Sequence, residues 1–415
     1  MTGRRFHPNP GHVLAATAFL LPTVATAAPK GVAPLLAVAT LAALVLGGYR
    51  DLPRLEPLRM LATLVILLGV VGLASALWSV VPEHSLSVGL RFLAIGAGGM
   101  VLLSVARGIG ERERETLQRT LIWGFALALV ALAIAGIVQR VGLFRVSSTE
   151  EIAHWTERFN RFDRAATTIA FALWPMLLAL AERGHPRLAR LVAIATLLAV
   201  FSLNSQAAML SLLVSFTIWP LAWWLPRATA GAVGAGLIAL VAILPSLNLS
   251  MPFIARVHEL APWLKVTAIH RLAIWHFAID RITERPLLGW GLDASRALPH
   301  GSDVIVAPGL GELQQALKTW MPLHPHNAAL QWRLELGLPG AILASLIVLW
   351  PLWRVGTSQS LPRFHQASAI ALVGGALVIA FLSYGTWQEW WMSELWILVA
   401  LMAAQTKTGP LAAEG

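Results

Sequence analysis

Cysteine is absent from the 415 residues, so neither a disulfide framework nor thiolate chemistry is open to this chain. Charge is scarce as well: charged residues make up 13% of the chain and hydrophobic residues 57%. A soluble domain carries about 25% charged residues, so this shortage argues against a soluble fold and for a chain dissolved mostly in lipid. No glycine-rich nucleotide-binding loop occurs, and no internal repeat, low-complexity tract or linker divides the sequence. Nucleic acid is not an expected partner.

Apolar runs of spanning length lie near 12–28, 31–49, 60–80, 87–106, 120–142, 165–181, 191–203, 207–225, 230–247, 327–350, 367–384 and 390–404. They predict an all-α polytopic membrane protein with about 12 transmembrane helices, built as a single membrane domain over 1–415. Arg4, Arg5, Arg50, Arg54, Arg59, Arg107, Arg112, Arg114, Arg119, Arg183, Arg187, Arg190, Arg227, Arg354 and Arg363 fall on one side of these runs. By the positive-inside rule that side is cytoplasmic, which puts both termini in the cytoplasm. Arg4 and Arg5 before an apolar stretch, with Ala25-Thr26-Ala27 after it, have features of a signal peptide; retention as a signal anchor is the expectation.

Two larger loops are expected on the opposite side. The first, 143–164, holds Arg145, Arg158, Arg161 and Arg164 among several carboxylates. The second, 248–326, is too long to be a structureless connection and is expected to be partly helical, lying over the bilayer as a lid. Within it His270–Ile282 reads as an amphipathic helix with Ile274, Trp275, Ala278, Ile279 and Ile282 on its apolar stripe. Pro286-Leu287-Leu288-Gly289-Trp290-Gly291 reads as a turn with an aromatic anchor, and a further helix is expected near 311–319. Arg161, Arg164 and Arg271 fit either solvated surface pairs or a site for phosphate oxygens, which the guanidinium fork matches. Asp280 and Glu284 share a helix face but are flanked by Arg281 and Arg285, so they read as a solvated ionic face and not as a glycosidase acid pair.

The polar stretch His324-Pro325-His326-Asn327 leads into the run beginning at 327. Read as a helix, Asn327, Gln331 and Glu335 form one polar stripe, which belongs against protein or water and not lipid. Gly337 and Gly340 lie on a neighbouring face that invites close approach of another helix, with Pro339 permitting a kink. Two readings fit His326: an inert interfacial histidine, or a base that takes a proton from a hydroxyl. His324 and His326 lack a nearby third ligand, so no metal or other cofactor is expected. Trp387, Glu389, Trp390 and Trp391 read as an aromatic belt or as contacts to a substrate, and Arg91 and Arg333 as snorkelling residues or phosphate contacts.

His326-Asn327, nine residues, then Gly337-Leu338-Pro339-Gly340 resembles the signature of the O-antigen ligase family. Arg271, Trp275, Pro286, Leu288, Gly289 and Gly291 resemble, by their spacing, the wider superfamily that includes O-antigen polymerases and pilin-glycosylating ligases. The likeness implies a glycosyltransferase of the Gram-negative inner membrane. Such an enzyme moves a glycan from an undecaprenyl-diphosphate-linked O-antigen donor to a sugar of lipid A-core at the periplasmic face. It implies His326 as the base and Arg271, with Arg161 and Arg164, as diphosphate contacts; membrane lipids are the surrounding partners. Where the family carries Ser-Arg at a short outer turn this chain reads Ser205-Gln206, so Gln206 is an uncharged stand-in and Arg161 or Arg164 is the expected compensation. A polymerase with the same chemistry and a twelve-helix transporter of lipid-linked glycan stay open.

Overall fold

The computed structural model describes residues 7–143, 162–203, 205–264, 266–306, 314 and 317–406. Fourteen α-helices organise these residues, and none of them forms a named strand. They are α1 (Pro10–Ala27), α2 (Val32–Val45), α3 (Arg59–Ala74), α4 (Pro82–Ala106), α5 (Glu111–Leu143), α6 (Asp163–Glu182) and α7 (Pro186–Ser202). Then follow α8 (Gln206–Trp224), α9 (Pro226–Ile243), α10 (Met251–Leu260), α11 (Val266–Glu284), α12 (Ala328–Thr357), α13 (Arg363–Leu382) and α14 (Glu389–Ala404). Proline stands in the first turn of α1, α4, α7 and α9, where its missing N–H costs nothing and its fixed φ suits the helix.

Each predicted apolar run forms a helix. Among the described residues nine helical stretches are long and apolar enough to cross a membrane. The runs at 31–49, 191–203 and 390–404 form α2, α7 and α14, which have 14, 17 and 16 residues. At about 1.5 Å per residue these reach only about 21–26 Å, short of a typical hydrocarbon core. The chain is an all-α polytopic membrane protein.

Because lipid tails are as apolar as leucine, the bundle cannot rely on hydrophobicity to join its helices, and small and hydroxylated residues do this work. The Ser211 and Ser215 hydroxyls of α8 donate to the Gly375 and Ala371 carbonyls of α13 at 2.9 Å each. The Thr120 hydroxyl of α5 donates to the Ala15 carbonyl of α1 at 2.6 Å. In α6, residues 165–180 are buried without a break, which makes that helix the centre of the larger core.

The arginines and the histidine motif lie at opposite ends of α4. At its C-terminal end the Arg107 Nε donates to the Arg54 carbonyl. At its N-terminal end the Ser85 hydroxyl donates to the Leu292 carbonyl in the turn beside the motif. The 25 residues of α4 separate the two by roughly 37 Å.

One expectation needs correction, the approach of another helix at Gly337. The kink allowed at Pro339 falls at Gly337, which at φ 62° and ψ −154° divides α12 into a nine-residue segment carrying Gln331, Arg333 and Glu335 and a longer apolar one. The close neighbour of Gly337 is not a helix but the turn at 287–289. The helix expected near 311–319 falls largely outside the described residues, and where the chain is described again Thr319 is extended and bridges Val304. Most of the expected 143–164 loop, including Arg145, Arg158 and Arg161, also lies outside the described residues.

Candidate active site

The first segment of α12, Ala328–Leu336, is held by groups distant in sequence. Asn327 does not join the stripe; it is the helix N-cap, its Oδ1 accepting the Leu330 N–H at 3.2 Å. Gln331 and Glu335 do form a stripe, 1% and 0% exposed, and both face protein as expected. The Gln331 Oε1 accepts the Thr386 N–H at 2.9 Å, and its Nε2 donates to Glu335 at 3.1 Å. The Glu335 carboxylate also accepts the Asp293 N–H at 2.9 Å, the Ser295 hydroxyl and the Trp387 indole N–H. Four donors from three segments therefore close on one buried carboxyl group, so that both of its oxygens are hydrogen-bonded.

The turn after α11 docks onto the same segment through backbone groups. Trp290 and Gly291 N–H donate to the Leu334 and Glu335 carbonyls at 2.9 and 2.8 Å, and Leu338 N–H donates to the Leu287 carbonyl at 3.2 Å. Gly289 and Gly337 face one another here, both at positive φ. A Cβ on Gly289 would meet the Glu335 carbonyl, and one on Gly337 would meet the Leu287 carbonyl. The two glycine motifs read separately in the sequence are two sides of one backbone contact.

α11 matches the amphipathic reading: Ile274, Ala278, Ile279 and Ile282 are buried, and the Trp275 Nε1 donates to the Pro325 carbonyl at 2.9 Å, anchoring the histidine loop. Asp280 and Glu284 are engaged by His276 at 3.7 Å and Arg281 at 2.7 Å, an ionic face as expected. Arg271, one turn before Trp275, is half-buried and makes no hydrogen bond or ion pair among the described residues. Burial lowers its pKa.

His326 sits at φ 54°, a left-handed conformation uncommon for a residue with a side chain. Its Nδ1 lies 2.6 Å from the Ser383 carbonyl, which can only accept, so Nδ1 carries the proton and Nε2 keeps its lone pair. Nε2 has no hydrogen-bond partner among the described residues. Burial lowers the His326 pKa; the Ser383 carbonyl raises it, and the nearby Arg271 and His270 lower it further. His324 packs on His326 with ring centroids 4.2 Å apart, and its pKa is lowered to about 3 by burial and then by the charges of His326, Arg296 and Arg271.

Other expected residues are placed unevenly. The Arg164 guanidinium lies 5.5 Å from the Trp390 ring, which packs on Tyr384 beside Ser383, so Arg164 borders the site through aromatic rings. Gln206 opens α8 exposed to the outside, with no contact to the histidines. Trp387, Trp390 and Trp391 are 6%, 5% and 3% exposed, which overturns the aromatic-belt reading. Arg91 pairs with Glu389, and Arg333 leaves its Nε buried without a partner. Sequence reading missed Ser383, Asp293 and Ser295, whose roles come from contacts dozens of residues away.

Two depressions border this end of the bundle. One of about 510 Å³, along Trp78 and residues 285–289, is mostly apolar and has Arg285 as its one charged residue. The other, of about 260 Å³, is polar and reaches His324.

The fold and site define a helical membrane protein with a histidine and an unpaired arginine brought together by loops at one end of its bundle. Residues 191–345, which carry Arg271, the 286–291 turn and His326, match the O-antigen ligase family model. Similar proteins include one provisionally named a polysaccharide ligase in Rickettsia felis, 27% identical over 343 residues, 79% of this chain and 76% of the relative. Another with that provisional name, from Rickettsia conorii, is 26% identical over 310 residues, 72% of this chain and 69% of the relative. In Rickettsia bellii a third is 35% identical over 139 residues, 32% of each chain.

Proposed function

We propose that this protein is an O-antigen ligase: a metal-independent, inverting glycosyltransferase of the Gram-negative inner membrane. It moves a glycan from undecaprenyl diphosphate to a sugar hydroxyl of lipid A-core at the periplasmic face. One observation carries the reading: the Ser383 carbonyl fixes the His326 tautomer so that a free Nε2 lone pair stands near a half-buried arginine with no carboxylate partner.

In this mechanism His326 Nε2 takes the proton of the acceptor hydroxyl as its oxygen attacks the anomeric carbon of the donor glycan. The new C–O bond forms while the bond to the diphosphate breaks, and the electron pair leaves with undecaprenyl diphosphate. Attack opposite the leaving group inverts the anomeric configuration. Arg271 faces the charge that develops on the leaving diphosphate, where a buried guanidinium is worth more than in water. Arg164, and Arg161 from the first loop, assist at the diphosphate, with Gln206 a weaker contributor. Gln331 and Glu335 position the loops and take no part in proton transfer, and the 248–326 loop serves as the lid.

The test uses purified protein, an undecaprenyl-diphosphate glycan and lipid A-core with chelator present. Glycosylated lipid A-core is expected with the wild type. His326→Ala is expected to lower the rate by about 10²–10⁴-fold and Arg271→Ala by about 10²–10³-fold. Growth of the glycan on the lipid diphosphate instead identifies a polymerase; movement of the lipid-linked glycan across liposomes without transfer identifies a transporter.

A further inference from the structure

The polar cleft of about 260 Å³ lies beyond His324, bounded by the first turns of α4, the 293–296 turn and the 385–389 loop. Its hydrogen bonding is incomplete in a specific way. The His324 Nδ1 accepts the His326 N–H at 3.1 Å, so the neutral ring carries its proton on Nε2. The Gln388 Oε1 accepts the Trp390 Nε1–H at 2.8 Å, which turns the Gln388 NH₂ toward His324. His324 Nε2 and Gln388 Nε2 are then 3.4 Å apart, two donors meeting with no acceptor between them. Flipping the amide would only move the clash of donors to Trp390. His324 is 6% exposed, so its N–H is not simply turned to bulk water.

The remaining walls are charged but balanced. Arg91 pairs with Glu389, while Asp293 is engaged by His84 at 2.8 Å and Arg296 at 3.9 Å. A diphosphate would find no surplus positive charge here, whereas Arg271, near both histidines, has no carboxylate partner among the described residues. An apolar chain would leave both donors unsatisfied. Sugar hydroxyls, which donate and accept at the same atom, match alternating donors and carboxylates. The volume lies just below the range of drug-sized sites, about 300–1,000 Å³, and so suits one sugar unit and not a long glycan.

We propose that this cleft is the acceptor subsite, where His324 and Gln388 donate to one oxygen of a neutral sugar unit and so hold the neighbouring hydroxyl toward His326. The proposal deepens the ligase reading and rests on it for the direction of transfer.

The test combines kinetics with binding of the lipid-free core oligosaccharide released from the same lipid A-core. Gln388→Leu is expected to raise the acceptor KM about tenfold, the loss of roughly one hydrogen bond, while the donor KM moves by less than about twofold. His324→Gln, which still presents an N–H, is expected to keep the acceptor KM closer to wild type than His324→Leu. Core oligosaccharide is expected to bind wild type and His326→Ala alike and Gln388→Leu about tenfold more weakly. An unchanged acceptor KM, or a rise in the donor KM instead, overturns the proposal. If wild type transfers nothing while Gln388-dependent binding persists, the ligase reading fails and the sugar site stands. Binding indifferent to Gln388 removes the site.

Discussion

His324 and His326 are two residues apart, yet their backbone and carbonyl partners set them in opposite tautomers. One presents a lone pair and the other an N–H. This division gives the pH dependence its sign. A base acts when neutral, and burial together with Arg271 and His270 lowers the His326 pKa beneath its usual 6.5. The kcat/KM profile is therefore expected to stay level from neutral pH to below 6.5, and to fall only under the lowered pKa, about tenfold per pH unit. Arg271→Gln removes a positive charge that disfavours the imidazolium, so in addition to slowing the reaction it should move the acid limb upward. A limb that stays in place in that variant would show that Arg271 does not act on His326 electrostatically.

At the scale of elements, the 286–291 turn and the break in α12 are coupled through Gly289 and Gly337. Gly337 occupies a region of backbone space open essentially to glycine, so Gly337→Ala carries strain on the order of 1–3 kcal/mol and also pushes a Cβ into the Leu287 backbone. A lowered Tm in detergent and loss of transfer are expected together. Gly184 is also left-handed, at φ 76°, but a Cβ there meets nothing within 4 Å. Gly184→Ala should therefore cost roughly 1–2 kcal/mol and leave kcat unchanged. The contrast bears on what the sequence made legible. Hydropathy located the helices, and the spacing of Gln331 and Glu335 located their buried stripe, because both are local periodicities. A Gly-Leu-Pro-Gly string fits a helix contact and a helix break equally well, and the choice was made by residues fifty positions upstream. Asn327 likewise fits a stripe or a cap; the extended backbone at its position decided for the cap. Ser383, Asp293 and Ser295 carry no local signal at all, since an ordinary serine or aspartate becomes part of a site only when the fold delivers it.

For the whole molecule, the separation of the arginine-rich end from the histidine end by the length of α4 supports the reading of orientation. The proposed function, read with the positive-inside rule for short loops, requires the arginine end to face the cytoplasm and the histidines the periplasm, where lipid A-core and an already translocated lipid-linked glycan would meet. In the proposed reaction no ATP-dependent step is needed, because the donor's diphosphate would itself be the leaving group. The absence of cysteine makes the orientation directly measurable: every introduced thiol is the only one in the chain. Asp303 and Arg187 are both exposed, the first in the loop that leads to the histidines and the second in the turn opening α7. In spheroplasts a membrane-impermeant maleimide is expected to label Asp303→Cys at once and Arg187→Cys only after lysis. Labelling in the reverse order would put His326 in the cytoplasm, where lipid A-core carrying periplasmic O-antigen cannot be made, and the ligase reading would fall with it.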